Sequence, residues 1–459
     1  MALGAGLALA AADSVVRSSI AQPTEIPGIA KDEPVLGPLP PLASILEAAE
    51  HRPYLYGLYT WKGEYLAHRD SVRSVGWKFF RLGGEADDVI ARALSEDGVL
   101  AAVSPGLGAK PDADPAGNAA YIQETVDRIT AFWTRYGTKG TFFQENPALA
   151  HRPFIAQEAK NEPNFQYLIK PDERPPAEQE KDRFALFAKL QPACYAAFKA
   201  IEPGLIYSGF SAGGAGAGDL RFVRTVHELN PEIARTYDVL GTHPYVDPTP
   251  PEAYAVRSWG RYSIASSLAE LREIMAAHGR TGVPVWYTEI GWEISRADGG
   301  KYERKDTVSP ELQAAYTCRM AAYALRLGVE RITHMFITDT DGYNGGFFNS
   351  DGSWRPSAKA VQHMIRLLPQ PKLLRALHDG EAGSFAYLLS PSPEKNAVPV
   401  LMAWNVFGPR EMTIPVKADR IRVTDMLGNE QEVKPVNGNI RIEAGPLPLY
   451  LTASTADWL

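Results

Sequence analysis

The sequence predicts an α/β fold, a closed (β/α)8 TIM barrel, followed by a C-terminal antiparallel β-sandwich. Three observations carry this expectation. From residue 52 onward, short apolar or β-branched runs alternate with helical periodicity eight times, the pattern of a parallel α/β sheet. Eight repeats favour closure over an open doubly wound sheet, which stays the alternative. After about residue 369 the texture becomes short alternating runs broken by Gly, Pro and Asn, with no helical periodicity, as in a sandwich. Finally, 459 residues exceed one ordinary domain but suit a barrel of roughly 250 residues or more with an appended module.

Taken in order, residues 1–21 form an apolar Ala/Leu/Gly run with small residues before Ala21, similar to the hydrophobic part of a signal peptide but without its basic start. They are expected to be an export segment, cut after Ala21, which would place the protein in the periplasm or outside the cell; an apolar N-terminal helix is the other reading. Residues 22–51, with the Pro-rich stretch "DEPVLGPLPPL" at 32–42, read as a linker or extended lead-in. Residues 52–368 hold the barrel. Its strand candidates are 54–60, 77–84, 99–105, 154–162, 205–211, 237–245, 283–292 and 331–340. Helical stretches such as "KDRFALFAKLQPACYAAFKAI" and "SPELQAAYTCRMAAYALRLG" repeat apolar residues at i, i+3, i+4 and i+7, the stripe that packs on a barrel's outside. Residues 369–459 are the sandwich, with runs such as "GSFAYLLS", "AVPVLMAWNV" and "NIRIEA".

Composition narrows the function. The chain is 45% hydrophobic and 22% charged, ordinary for a globular protein, and its formal charge of −7 offers no basic footprint for nucleic acid. No later run of about 20 apolar residues suggests a membrane span. Cys194 and Cys318 fall in outer helices after strands 4 and 7, so a disulfide between them is not expected. The His residues are scattered, without His-x-His or His-Glu-x-x-His, and neither a metal nor another cofactor is expected.

The carboxylates point to chemistry. Barrel sites lie at the C-terminal ends of the strands. Glu162, in "KNEPN", falls at that end of strand 4, and Glu289, in "YTEIGW", at that end of strand 7. Two carboxyls on one rim suit glycosidic cleavage, where one protonates the leaving oxygen and the other meets the anomeric carbon. Pro163 ends regular strand pairing and presents Glu162 at an edge. Glu289 sits among apolar and aromatic neighbours, where an unpaired carboxylate would be costly, and Arg81 in "FFRLGG" is the best candidate to hold it ionised.

These two motifs resemble the acid/base and nucleophile motifs of the clan A retaining glycoside hydrolases, barrels with catalytic Glu on strands 4 and 7. The tail "VTDMLGNE" with "GPLPLYL" is similar to the sandwich that closes family 39 of those enzymes. The resemblance implies Glu162 as general acid/base, Glu289 as nucleophile with Arg81 beside it, and Asn161 as a hydrogen-bond partner of the sugar 2-hydroxyl. It also implies substrate or nucleophile contacts for His243 and Tyr245 in "GTHPY". Many clan members carry a Trp at the end of strand 8; this chain has "HMFITDTDGYNGG", where Phe336 or Tyr343 would substitute. The implied activity is a retaining β-glycosidase acting on a poly- or oligosaccharide, internally on a bacterial or plant polysaccharide. Terminal cleavage, transglycosylation and a non-catalytic carbohydrate-binding barrel are the alternatives.

Sugar rings expose apolar C–H faces that stack on aromatics, so rim aromatics are candidate contacts. Tyr59, Trp61, Trp259, Tyr262, Trp292, Tyr343 and Phe347 lie near strand ends, with Trp61 and Trp292 foremost. Glu145 is a rival acid, read as a loop residue, and Glu293 reads as a loop or cap. The "GGAGAG" run at 213–218 lacks phosphate-loop spacing and reads as a flexible rim loop.

Overall fold

In the computed structural model, the residues described are 15–459 except 24, 30–35, 85, 105–110, 112–114, 166–167, 215, 258–259, 296–305, 341 and 456–457. Eight parallel strands close a barrel: Tyr56–Trp61, Phe79–Gly83, Leu100–Val103, Phe154–Glu158, Ile206–Gly213, Val239–His243, Val285–Ile290 and Arg331–His334, here strands 1 to 8. Neighbours in sequence are neighbours in space, and strand 8 pairs with strand 1 through Ile332 and Tyr56 to shut the cylinder. Most of their apolar residues are buried, on both faces, as a parallel barrel wrapped in helices requires.

The helices start and stop where local chemistry dictates. Asp87 caps helix Asp88–Asp97 by accepting from the Val89 and Ile90 N–H groups, and Gly98 ends it in the left-handed region. Ser309 caps helix Pro310–Leu327 with Pro310 in its first turn and Gly328 past its end. That helix shows an amphipathic stripe in sequence, yet it is buried on every side because the C-terminal module covers its outer face. The fully buried Arg319 on it pairs with Glu252 of the loop after strand 6 and donates to the Pro446 carbonyl; Trp404 Nε1 donates to Glu252 at 2.8 Å. Arg326 pairs with Asp379 at 2.7 Å. Barrel and sandwich thus share one apolar core stapled by buried polar contacts.

The C-terminal module is two antiparallel-type layers. One sheet of six strands runs in the order Lys372–Asp379, Ser384–Ser390, Val400–Asn405, Leu449–Thr452, Ile421–Asp425, Glu430–Val433. The other has three: Arg410–Pro415, Asn439–Ala444 and, parallel to the latter, Val16–Arg17. The segment expected to end in a cut at Ala21 therefore contains a strand of the sandwich. Val16 is buried, and Gln22 accepts from the Leu447 N–H at 3.0 Å. A cut after Ala21 would remove that strand.

Strand bounds shift throughout, and two ends move furthest. Strand 4 was expected to run to residue 162 but ends at Glu158, because the chain turns through Lys160–Phe165 with Glu162 at φ 41°. Strand 8 ends at His334 rather than 340. The "GGAGAG" run is not a free loop: Gly213 closes strand 5 and Ala217 opens helix Ala217–Leu229. Of the Pro-rich stretch, 32–35 lie outside the described residues, while Gly37 donates to the Glu252 carbonyl at 2.8 Å. Cys194 and Cys318 are both free and buried.

Candidate active site

At the C-terminal end of the barrel, Arg81 on strand 2 is the hub. It is 3% exposed, and alternation along the strand aims its side chain into the barrel. Its Nε and Nη2 grip Glu158 of strand 4 at 2.9 and 2.7 Å, Nη1 donates to Glu289 Oε2 at 2.7 Å, and Nη2 donates to Asn161 Oδ1 at 2.7 Å. Its guanidinium lies 4.5 Å from the Tyr59 ring centre. Burial works against its charge, but Glu158, Tyr59 and Glu289 outweigh it and hold Arg81 protonated above the ordinary guanidinium range. Glu289 thus has its expected partner, and Arg81 answers two carboxylates rather than one.

Glu289 is satisfied on both oxygens, since Tyr245 Oη donates to Oε1 at 2.7 Å while Arg81 holds Oε2. Burial first, and then the Glu289 charge, push the Tyr245 phenol well up, so it stays a donor. Burial, opposed by Arg81, pushes the Tyr59 hydroxyl up to about 12. The fully buried His243 stands between the carboxyls, with Nδ1 3.1 Å from Glu162 Oε1 and 3.8 Å from Glu289 Oε2.

One atom each of Glu162, His243 and Glu289 lies within 4.8 Å of the others. One oxygen of Glu162, in the turn after strand 4, thus lies within 4.8 Å of one oxygen of Glu289 on strand 7. The same trio has the donor set for a cation, a convergence that sequence spacing did not reveal.

Other expected contacts divide. Trp61 is half-buried and packs at 4.7 Å on Phe336, which meets Tyr59 at 5.2 Å and Tyr343 at 5.5 Å between ring centres. Together with Met335 these rings form an aromatic wall beside Glu289, so the strand 8 end does supply aromatic surface without a Trp. Trp292 does not belong to it. Only 1% exposed, it packs on Tyr316 and donates to the Thr249 carbonyl at 2.9 Å, a core residue behind the rim. Phe347 is also core, Tyr262 donates to the Tyr245 carbonyl, and Trp259 lies outside the described residues. Glu145, read as a loop residue, ends helix Thr141–Glu145 and pairs with Arg135 on the surface; Glu293 is a buried loop residue accepting from the Asn344 N–H.

Four residues that position this site went unnoticed in the sequence. Glu158 neutralises Arg81 and accepts from Ser211 Oγ at 2.7 Å. The Ser211 carbonyl accepts from the Glu162 N–H at 3.0 Å. Asn164 bonds both the N–H and the carbonyl of Gly213, at 3.0 and 2.7 Å. A Cβ on Gly213 would fall 2.2 Å from Glu162 Oε1, so glycine is what makes room for that carboxyl. For Glu158 a signal existed: a charged residue closing the apolar run "FIAQE", matched by Arg81 inside "FFRLG".

No protein-family model matches the chain, and no curated protein does. Solved structures do match in fold. A family 39 glycoside hydrolase from Bacteroides cellulosilyticus WH2 superposes with a TM-score of 0.64 at 18% identity over 88% of this chain and 81% of that one. A family 39 enzyme from Xanthomonas axonopodis pv. citri gives 0.56 at 15% over 89% and 96%. A family 30 endoxylanase from Clostridium papyrosolvens C71 gives 0.56 at 11% over 89% and 98%. At such identities the likeness establishes the fold: a closed parallel barrel carrying a β-sandwich.

Proposed function

We propose that the chain is a retaining β-glycoside hydrolase of the clan A type, most similar to family 39, acting by double displacement. The observation that carries this is the pair Glu162 and Glu289, converging from the turn after strand 4 and from strand 7 to within 4.8 Å across His243. A Glu289 oxygen attacks the anomeric carbon, forming an ester bond as the glycosidic bond breaks, and the Glu162 proton passes to the departing oxygen. Water then gives its proton to Glu162 and attacks the same carbon, which releases Glu289. Arg81 and Tyr245 aim Glu289 through one hydrogen bond on each oxygen.

The substrate is a poly- or oligosaccharide, and cleavage is internal. The solved structures of similar fold include a β-xylosidase from Caulobacter crescentus CB15 and the endoxylanase above, which puts β-xylosides first in the panel. The test is a set of aryl glycosides and polysaccharides with product sizing, and NMR of the first-formed anomer. Retention of configuration is expected. First-formed product of inverted configuration, or no turnover on any substrate, overturns the reading.

A further inference from the structure

Phe165 is one of the few large apolar side chains left in water, 39% exposed, and it stands three residues beyond Glu162. Nothing about that place is casual. The Phe165 N–H donates to the Glu162 carbonyl at 3.0 Å, closing a tight turn in which Glu162 adopts φ 41°. Asn164, nearly buried between the two, clamps the turn to strand 5 through both polar groups of Gly213. The ring then lies against the glycines that end that strand: a Cβ on Gly213 would come 2.7 Å from Phe165 Cε2 and 2.6 Å from Glu162 Cδ, and one on Gly214 would come 3.1 Å from Phe165 Cζ. Ring and carboxyl press on one glycine and are therefore immediate neighbours.

The chemistry gives that neighbourhood a direction. An acid that protonates the glycosidic oxygen faces the part of the substrate that leaves with it, while the nucleophile faces the sugar that stays. The aromatic wall of Tyr59, Trp61, Phe336 and Tyr343 adjoins Arg81, Tyr245 and Glu289, on the side of the sugar that stays. Phe165 is on the other side, next to the proton donor. We propose that Phe165 is the stacking platform for the leaving-group sugar, so that the site grips rings on both sides of the bond it cuts. This rests on Glu162 being the acid/base and deepens that reading: the substrate has a sugar as its leaving group, and an added sugar can take the same place as a transfer acceptor.

The experiment compares Phe165→Ala and Phe165→Tyr with wild type on two substrates of one sugar. These are the xylo- or cello-oligosaccharide chosen by the panel, and the matching β-xylosyl or β-glucosyl fluoride, whose leaving group has no ring to stack. Phe165→Ala should lower kcat/KM on the oligosaccharide by about 10-fold, the scale of one lost aromatic contact, while the fluoride changes by less than about twofold. Phe165→Tyr should restore the oligosaccharide, and transfer to an added acceptor sugar should fall with the alanine variant alone. Equal losses on both substrates, or none on either, overturn the proposal and leave the glycosidase reading standing. Wild-type protein inert on both sinks that reading and this one with it.

Discussion

The barrel buries one arginine at each end, and the two are held in opposite ways. At the C-terminal end Arg81 is met by Glu158, Glu289 and Asn161, with hydrogen bonds from Nε, Nη1 and Nη2. At the N-terminal end Arg331, the first residue of strand 8, has its guanidinium 3.9 Å from the Phe79 ring centre and 4.2 Å from that of Trp286, and its Nε and Nη1 meet no acceptor. Burial lowers Arg331 to about 10, whereas at Arg81 the surrounding carboxylates overcome the same penalty. One cylinder thus gathers carboxylates around its arginine at the end that holds the candidate site and rings around its arginine at the other. A charge network orients side chains; a stack of rings fills volume.

The comparison breaks first at Glu289. Glu289→Ala should abolish turnover on every substrate, by about 10^4-fold or more, because the proposed mechanism forms its covalent intermediate on that carboxyl. Residual activity near wild type would show that the network at this end serves packing, as the rings do at the other. Glu162→Ala comes next and should be selective, with losses of roughly 10^2- to 10^4-fold on substrates whose leaving group needs a proton and little change in the first step for activated ones. Initial rates on paired substrates check this, and equal losses on both would remove Glu162 from the acid role.

The two arginines can then be exchanged for simpler groups. Arg81→Lys keeps the charge but loses the fork that spans Glu158, Asn161 and Glu289, and kcat should drop by about 10^2-fold with the fold retained. Arg331→Met should leave kcat within about twofold, and Tm should hold or rise, since a methionine fills space between Phe79 and Trp286 without burying N–H groups that lack acceptors. Melting curves and kcat on the two variants give four numbers that either separate the ends or fail to.

Sequence reasoning reached the fold because strands buried on both faces and helices with one apolar stripe write their periods plainly. It singled out Glu162, Glu289, Arg81, His243 and Tyr245, which the fold brings together, because each lies in a barrel strand or in the turn that follows one. It placed Trp292 wrongly, since a tryptophan at a strand end packs outward behind the rim or inward over substrate with the same local pattern, and only the position of Tyr316 decides. The Asn164–Gly213 clamp and Phe165 lay beyond reach for a different reason. They arise from the ends of strands 4 and 5 meeting in space, with Phe210 and Ser211 both at positive φ to bend strand 5 toward Glu162. Likewise the burial of helix Pro310–Leu327 on all sides depends on a module that begins more than forty residues later.

A third buried ionisable group sharpens the rule that partners decide charge. Asp219, in the first turn of helix Ala217–Leu229, pairs with no cation among the described residues; its oxygens accept from the Leu220 N–H at 2.8 Å, the Thr242 hydroxyl at 3.3 Å, and the backbone N–H groups of Gly216 and of Asp219 itself. Burial pushes it up to about 8, against the pull of those donors, so at neutral pH the folded protein keeps a proton that the unfolded chain, with an ordinary carboxyl near 3.9, has lost. The folded state then binds more protons than the unfolded state between about pH 4 and 8, and stability must fall with rising pH across that window, by up to about 1.4 kcal/mol per unit from this group. The contribution is fully present below the unfolded value and gone above the folded one. Asp219→Asn imitates the protonated form and should remove the slope, so its stability relative to wild type should grow by up to about 3 kcal/mol between pH 5 and pH 7 in urea titrations. A constant difference across that range would mean that Asp219 is ionised in the fold, and that neutral donors alone can hold a buried carboxylate.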